Sequence, residues 1–111
     1  MNKKIEFQLD DKDYCLEYDR DSIKYMEMRG FDIESIGKMP ATMIEILFEG
    51  AFYKNHKSLK KAKISEIFKQ LESKTELVNQ LIEMVGETYN SLFDSDDEEG
   101  SETKNKNWKI V

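Results

Sequence analysis

The sequence predicts an α+β fold: an N-terminal antiparallel β-hairpin packed on about four α-helices, followed by a disordered acidic C-terminal tail. Three observations carry this. Two short runs alternate apolar and polar residues on either side of an aspartate-rich turn, the period of a half-buried strand. Between residues 20 and 93 the apolar residues recur instead at steps of three and four, the period of a helix face. From 94 to 102 there is no apolar side chain at all.

In the first run Ile5, Phe7 and Leu9 alternate with Glu6 and Gln8. Asp10-Asp11-Lys12-Asp13 supplies the turn, and Tyr14, Leu16 and Tyr18 then alternate with Cys15 and Glu17. This is the pattern of a hairpin. A lone hairpin is marginal in water, so its apolar face needs a cover. Asp19 suits the N-cap of a first helix over about 20–29, because its carboxylate can accept from the free N–H groups of the opening turn. Ile23, Tyr25 and Met26 follow at helical spacing, and Gly30 suits the left-handed residue that closes such a helix, with Phe31 beyond it for the accompanying apolar contact. The stretch 31–37 has room for one or two helical turns.

Pro40, the single proline, opens the second helix, where its fixed φ and missing N–H cost nothing. Met43, Ile44, Leu47, Phe48, Ala51 and Phe52 then form a stripe broad enough for a central core helix. Gly50 within it costs about 1 kcal/mol relative to alanine and reads as a close-packing position, a ligand approach being the alternative. Ile64, Ile67, Phe68 and Leu71 mark a third helix ending near Glu72. Ser73 or Thr75 caps a fourth, whose stripe is Leu77, Val78, Leu81, Ile82, Val85, Tyr89, Leu92 and Phe93, with Glu76, Glu83 and Glu87 opposite. The second and fourth helices are expected to pack on each other and on the hairpin. Residues 1–93 form the domain. Residues 94–111 form an acidic flexible tail that ends in Trp108-Lys109-Ile110-Val111, because ordering a segment with nothing to bury costs about 1–2 kcal/mol per residue.

Composition narrows the function classes. A length of 111 residues suits one domain, and 39 % hydrophobic residues, with 6 Phe, 5 Tyr and 6 Met, suffice for one small core. Half of the net charge of −6 lies in the last eighteen residues, where six acids face three lysines, so the body is nearly balanced. No apolar run approaches the ~18–20 residues of a bilayer span. Lys3, Lys4 and Glu6 interrupt any secretory leader at the start. One cysteine makes no internal disulfide, and Cys15 with His56 alone builds no closed zinc site. A cytoplasmic location in a reducing compartment is the expectation.

The constellations that carry chemistry are also missing. Neither a GxGxxG nor a GxxxxGK[ST] motif occurs. Cys15 falls in a strand and His56 in a loop some forty residues away. They make a nucleophile and base only if the fold unites them, and the simpler reading is a strand residue and an exposed loop residue. Asp94–Glu99 invites calcium, but the mid-loop glycine and twelfth-position glutamate of an EF-hand are absent, and a solvated linker is the better reading. Lys54, His56, Lys57, Lys60, Lys61 and Lys63 form a basic cluster. It reads either as a phosphate or nucleic-acid patch or as a solvated loop with the first turn of a helix. The lack of arginine and the acidic whole favour the loop. Met26, Met39, Met43 and Met84 read as core filler, an adaptable binding surface being the alternative. No catalytic residue, metal or cofactor is expected, and the chain is read as not an enzyme.

Several segments together carry a family resemblance. They are Lys4-Ile5-Glu6-Phe7-Gln8-Leu9-Asp10 with a second strand ending in Tyr18, the helix start Asp21-Ser22-Ile23-Lys24, and Gly30-Phe31-Asp32-Ile33. Pro40-Ala41-Thr42-Met43-Ile44, Leu47-Phe48-Glu49-Gly50-Ala51-Phe52, Lys54-Asn55-His56-Lys57 and the terminal Trp108-Lys109-Ile110-Val111 complete the set. The chain resembles the small tail assembly chaperones of long-tailed bacteriophages and prophages of Gram-positive bacteria. These are packing signatures rather than catalytic motifs. The run Lys57–Lys63 and the tether Asp94–Lys106 are not among the features that carry the likeness. The resemblance implies a non-enzymatic role: binding the long, helical tape measure protein, keeping it soluble and assisting the tail tube protein during virion assembly.

Such a role needs accessible apolar surface. Phe48, Phe52, Tyr53, Tyr89 and Phe93 are the candidates, since the second and fourth helices hold more large apolar residues than one hairpin covers. They form a client or homo-oligomer surface, or else they are all core. Trp108, Ile110 and Val111 are a second candidate, as an anchor or added strand on a partner, or as a segment folded back on its own domain. The competing function is a small adaptor or regulatory protein-binding module of phage or bacterial origin, with nucleic-acid binding third.

Overall fold

A computed structural model of the chain describes residues 3–94. It has the expected α+β architecture, a two-stranded hairpin followed by four helices. β1 (Ile5–Leu9) and β2 (Lys12–Leu16) pair antiparallel, Ile5 opposite Leu16 and Leu9 opposite Lys12. Asp10 and Asp11 both take positive φ, 53° and 66°. That is the two-residue turn whose twist matches the strands it joins, and the short aspartate side chain tolerates the left-handed conformation.

The period-two pattern points the right way. Tyr14, Leu16 and Tyr18 are buried, while Ile5, Phe7 and Leu9 are half-buried against the core. Pairing stops at Leu16, however, two residues before the expected end of the strand. Glu17 N–H leaves the ladder and donates to the carbonyl of Ala51 at 3.1 Å. Tyr18 is 2 % exposed and sends its hydroxyl to the carbonyl of Leu47 at 2.7 Å. The chain therefore passes from a sheet edge to a helix within three residues, Glu17 to Asp19.

α1 (Arg20–Met28) opens on a reciprocal capping box. Ser22 N–H donates to Asp19 Oδ1 at 2.9 Å, and Asp19 N–H donates to Ser22 Oγ at 2.8 Å. It closes at Gly30, whose φ is 102°. Gly30 N–H reaches the carbonyl of Glu27 and Phe31 N–H that of Met26, both at 2.9 Å, the bonding pattern of a Schellman end. Phe31 is buried. One 3-10 turn, Ile33–Ser35, links α1 to α2 (Pro40–Ala51), which has Pro40 in its first turn.

α3 spans Lys61–Gln70 and α4 spans Lys74–Asp94. α3 ends two residues earlier than its pattern suggests, because Leu71 is already extended and Lys74 Nζ takes the carbonyls of Leu71 and Lys69 at 2.6 and 3.2 Å. Ser73, at φ 54°, turns the chain into α4. α2 lies at the centre, and α1, α3 and α4 each pack on it. Leu16, Ile23, Met26, Leu47, Phe52, Ile67, Leu81 and Val85 are fully buried between them. The expected tail lies outside the described residues from 95 onward.

No helix among the described residues is long and apolar enough to cross a membrane. Gly50 is a close-packing position: a Cβ there would lie 2.2 Å from Met26 Sδ, on a side chain that is itself fully buried. Gly50→Ala should therefore destabilise the fold by about 1–2 kcal/mol, overpacking outweighing the helix-propensity gain, and lower the thermal midpoint by several degrees in a calorimetric scan. An unchanged or raised midpoint would mean that α1 and α2 are not held at this separation.

Candidate functional site

The segment after α2 is held by β2. Cys15 N–H donates to His56 Nε2 at 3.0 Å, and Asn55 Nδ2 donates to the carbonyl of Cys15 at 3.3 Å. Glu17, 8 % exposed in its side chain, accepts from Lys54 Nζ at 3.0 Å and from Asn55 Nδ2 at 3.2 Å. Burial works to raise the Glu17 pKa, but these donors outweigh it and hold the carboxyl below its ordinary range.

The fold thus brings the single cysteine and the single histidine together without arranging them for nucleophilic chemistry. The ring nitrogen accepts from a backbone amide rather than from the thiol, which places the ring proton on Nδ1. The thiol lies 3.6 Å from Glu17 Oε1, and burial together with that carboxylate pushes its pKa up, away from the reactive thiolate. The same contacts split the lysine-rich cluster. Lys54 and His56 are tied to β2, and Lys57 lies 4.7 Å over the ring of Tyr53. Among the described residues no group of three or more His, Cys, Asp or Glu is placed to hold a metal.

A different feature stands open between α2 and α3. A groove of about 460 Å³ is walled by Pro40, Ala41, Ile44, Glu45, Phe48 and Glu49 of α2 and by Ile64, Ser65, Phe68 and Lys69 of α3. These positions recur at two four-residue steps on α2 and at one on α3, so a ridge of about 13 Å on α2 lies beside one of about 7–8 Å on α3. Phe48 and Ile64 are buried at the base, with the Phe48 ring 4.8 Å from that of Phe68. Ile44 and Phe68 are half-exposed walls, and Ala41, Glu45, Ser65 and Lys69 form the rim. Glu49 is 4 % exposed: one carboxylate oxygen bonds Arg29, whereas Oε2 is buried with no hydrogen-bond partner among the described residues.

Of the described residues singled out from the sequence, Phe48 lines this groove, and Phe52, Tyr53 and Tyr89 do not join it. Phe52 is 1 % exposed and belongs to the core, its ring against Phe48, Tyr14 and His56, so it offers nothing to a partner. Tyr53 is half-buried and stacks on Tyr25 at 4.8 Å. Tyr89 is half-buried between α4 and α1 and donates to Glu27 Oε2 at 2.9 Å. Burial, and then that carboxylate, push its pKa well up. The side chain of Phe93, and all of Trp108, Ile110 and Val111, lie outside the described residues.

Pattern reading took Ile44, Ile64 and Phe68 as core; Ile64 is core and Phe68 packs against it, while Ile44 as a groove wall, and Pro40 and Ala41 beside it, went unread. A signal was present. Met43 and Ile44 are adjacent, about 100° apart around the helix, so one of them had to look away from whatever the other packed on.

A family model described as a domain of unknown function, DUF5055, matches residues 1–111. No curated protein and no solved structure matches the chain.

Because the folded-state pKa of Glu17 is depressed, its contribution to stability is present above the unfolded carboxylate range and is lost as pH falls through the folded value. Glu17→Gln should cost about 1–2 kcal/mol at neutral pH in urea denaturation, by weakening bonds to a buried acceptor. The gap to wild type should close once the pH is below the ordinary carboxylate range. A gap independent of pH would contradict the ion pair with Lys54.

Proposed function

We propose that this chain, which belongs to the DUF5055 family, is a non-enzymatic assembly chaperone that holds an amphipathic helix of its client in the α2–α3 groove. The client is the tape measure protein of a phage tail, and the setting is the cytoplasm of the host cell, where tail tube subunits are the second partner.

One observation carries this reading. The ridges at 40/41, 44/45 and 48/49 lie beside those at 64/65 and 68/69, leaving an apolar trough walled on both sides for about one and a half turns. A guest helix presents its apolar anchors at the same three- and four-residue steps, so its stripe fits a trough of this kind. A tape measure protein, with long amphipathic helices that would otherwise bury their stripes in each other, is a client of that chemistry.

The magnitudes suit reversible capture. Two or three apolar anchors contribute about 1.5–3 kcal/mol each when buried, and association costs several kcal/mol of lost freedom. The net is weak to moderate affinity, as a chaperone that must release its client requires. Loss of that affinity should be visible in a single exposed residue. Ala41 lies in the first turn of α2, where a glutamate is compatible with the helix dipole. Ala41→Glu should leave the thermal midpoint unchanged and abolish the ability of the co-expressed chain to keep a tape measure protein in the soluble fraction. A variant that solubilises the client as well as wild type would rule the groove out as the capture site. A chain with an intact groove that solubilises no tape measure protein, but binds another partner there, would be the adaptor instead.

A further inference from the structure

We propose that the chain's own segment Trp108–Val111 seats in the α2–α3 groove and competes there with the client. The inference rests on the reading of that groove as a binding site and adds the occupant that fills it when no client is present.

The groove offers apolar walls at Ile44, Phe48, Ile64 and Phe68, and its volume of about 460 Å³ lies near the small end of ligand pockets. That is room for one large aromatic side chain and an aliphatic neighbour. From 95 to 107 the sequence has no apolar side chain, and Trp108, Ile110 and Val111 follow as the one apolar group beyond α4. The thirteen intervening residues span up to about 43–47 Å when extended. The longest extent of the molecule is 46 Å, so the groove is within reach of Asp94.

Two polar features favour this occupant over an aliphatic one. Glu49, on the groove wall, has a buried carboxylate oxygen without a donor among the described residues. The indole N–H of Trp108 is a donor only, and in the proposed docking it supplies the missing partner. Lys109 brings a positive charge to the α2 wall, where Glu49 is paired with Arg29 but Glu45 stands at the rim, with Lys69 on the α3 wall opposite. The acids of the tether, Asp94 to Glu102, precede Trp108 by six or more residues in the chain.

Trp108 is the single tryptophan, so its fluorescence reports the contact directly. In the full chain at low concentration, emission should be blue-shifted and protected from acrylamide relative to a peptide of residues 104–111. Ala41→Glu, or Ser65→Glu on the opposite wall, should return it to the peptide's values while the circular dichroism stays native. Deleting 104–111 should raise the apparent affinity for a client helix about tenfold if the segment fills the groove nine-tenths of the time.

A peptide-like tryptophan in the full chain would overturn the proposal and leave client capture standing. A blue shift that both groove variants preserve would place the segment elsewhere and overturn it too. A shift that appears only as concentration and particle mass rise would assign the contact to a second copy and overturn the self-docked form.

Discussion

The structure depends on how β2 is tied to the C-terminal end of α2. A two-stranded hairpin does not hold itself in water, and here it is held by bonds that leave the sheet. Glu17 N–H goes to the carbonyl of Ala51, the Tyr18 hydroxyl to that of Leu47, and Cys15 N–H to His56. The Ala51 carbonyl lies at a helix terminus, where backbone acceptors lack partners within the helix. One set of contacts therefore satisfies the helix end, covers the hairpin and fixes the path of the chain into the loop before α3. The buried Glu17 carboxylate is tolerable because Lys54 and Asn55 both reach it.

With its C-terminal end occupied in this way, α2 divides its remaining surface. Met43, Ile46, Leu47 and Ala51 are buried in the core, and Gly50 lets α1 come close through Met26. That leaves the side carrying Ile44 and Phe48 to α3. α3 is ten residues long, and with Ile67 buried it meets this side through Ile64 and Phe68 alone, so the two ridges stand apart over the groove. The opening thus follows from the packing: one apolar helix supplies more apolar side chains than its neighbours can cover. An open apolar groove exposes a molecule to aggregation unless something covers it.

How much of this was legible depended on whether the cause was local. The Asp19 N-cap, the Gly30 closure and Pro40 at a helix start are decided by neighbours within a few residues, and the pattern revealed each of them. It placed the hairpin turn over Asp10–Asp13, whereas β2 already begins at Lys12 and only Asp10 and Asp11 turn, and it did not show Ser22 returning the Asp19 cap. The end of β2 was not legible, because what stops it is the carbonyl of Ala51, thirty-four residues on. Phe48 and Phe52 look equivalent in the stripe. They differ only because Tyr14 and His56 close over the second while the first faces the space beside Phe68. His56 looked like an exposed loop residue for the same reason: its partner is a strand amide that no spacing rule connects to it.

The most direct measurement is an amide NMR titration of the chain, lacking residues 104–111, with a synthetic amphipathic helix drawn from a tape measure protein. Shift changes should concentrate on 40–49 and 61–69, be saturable, and leave the β2–His56 region unmoved. Changes centred on the hairpin or on α4, or no change at all, would contradict capture between α2 and α3.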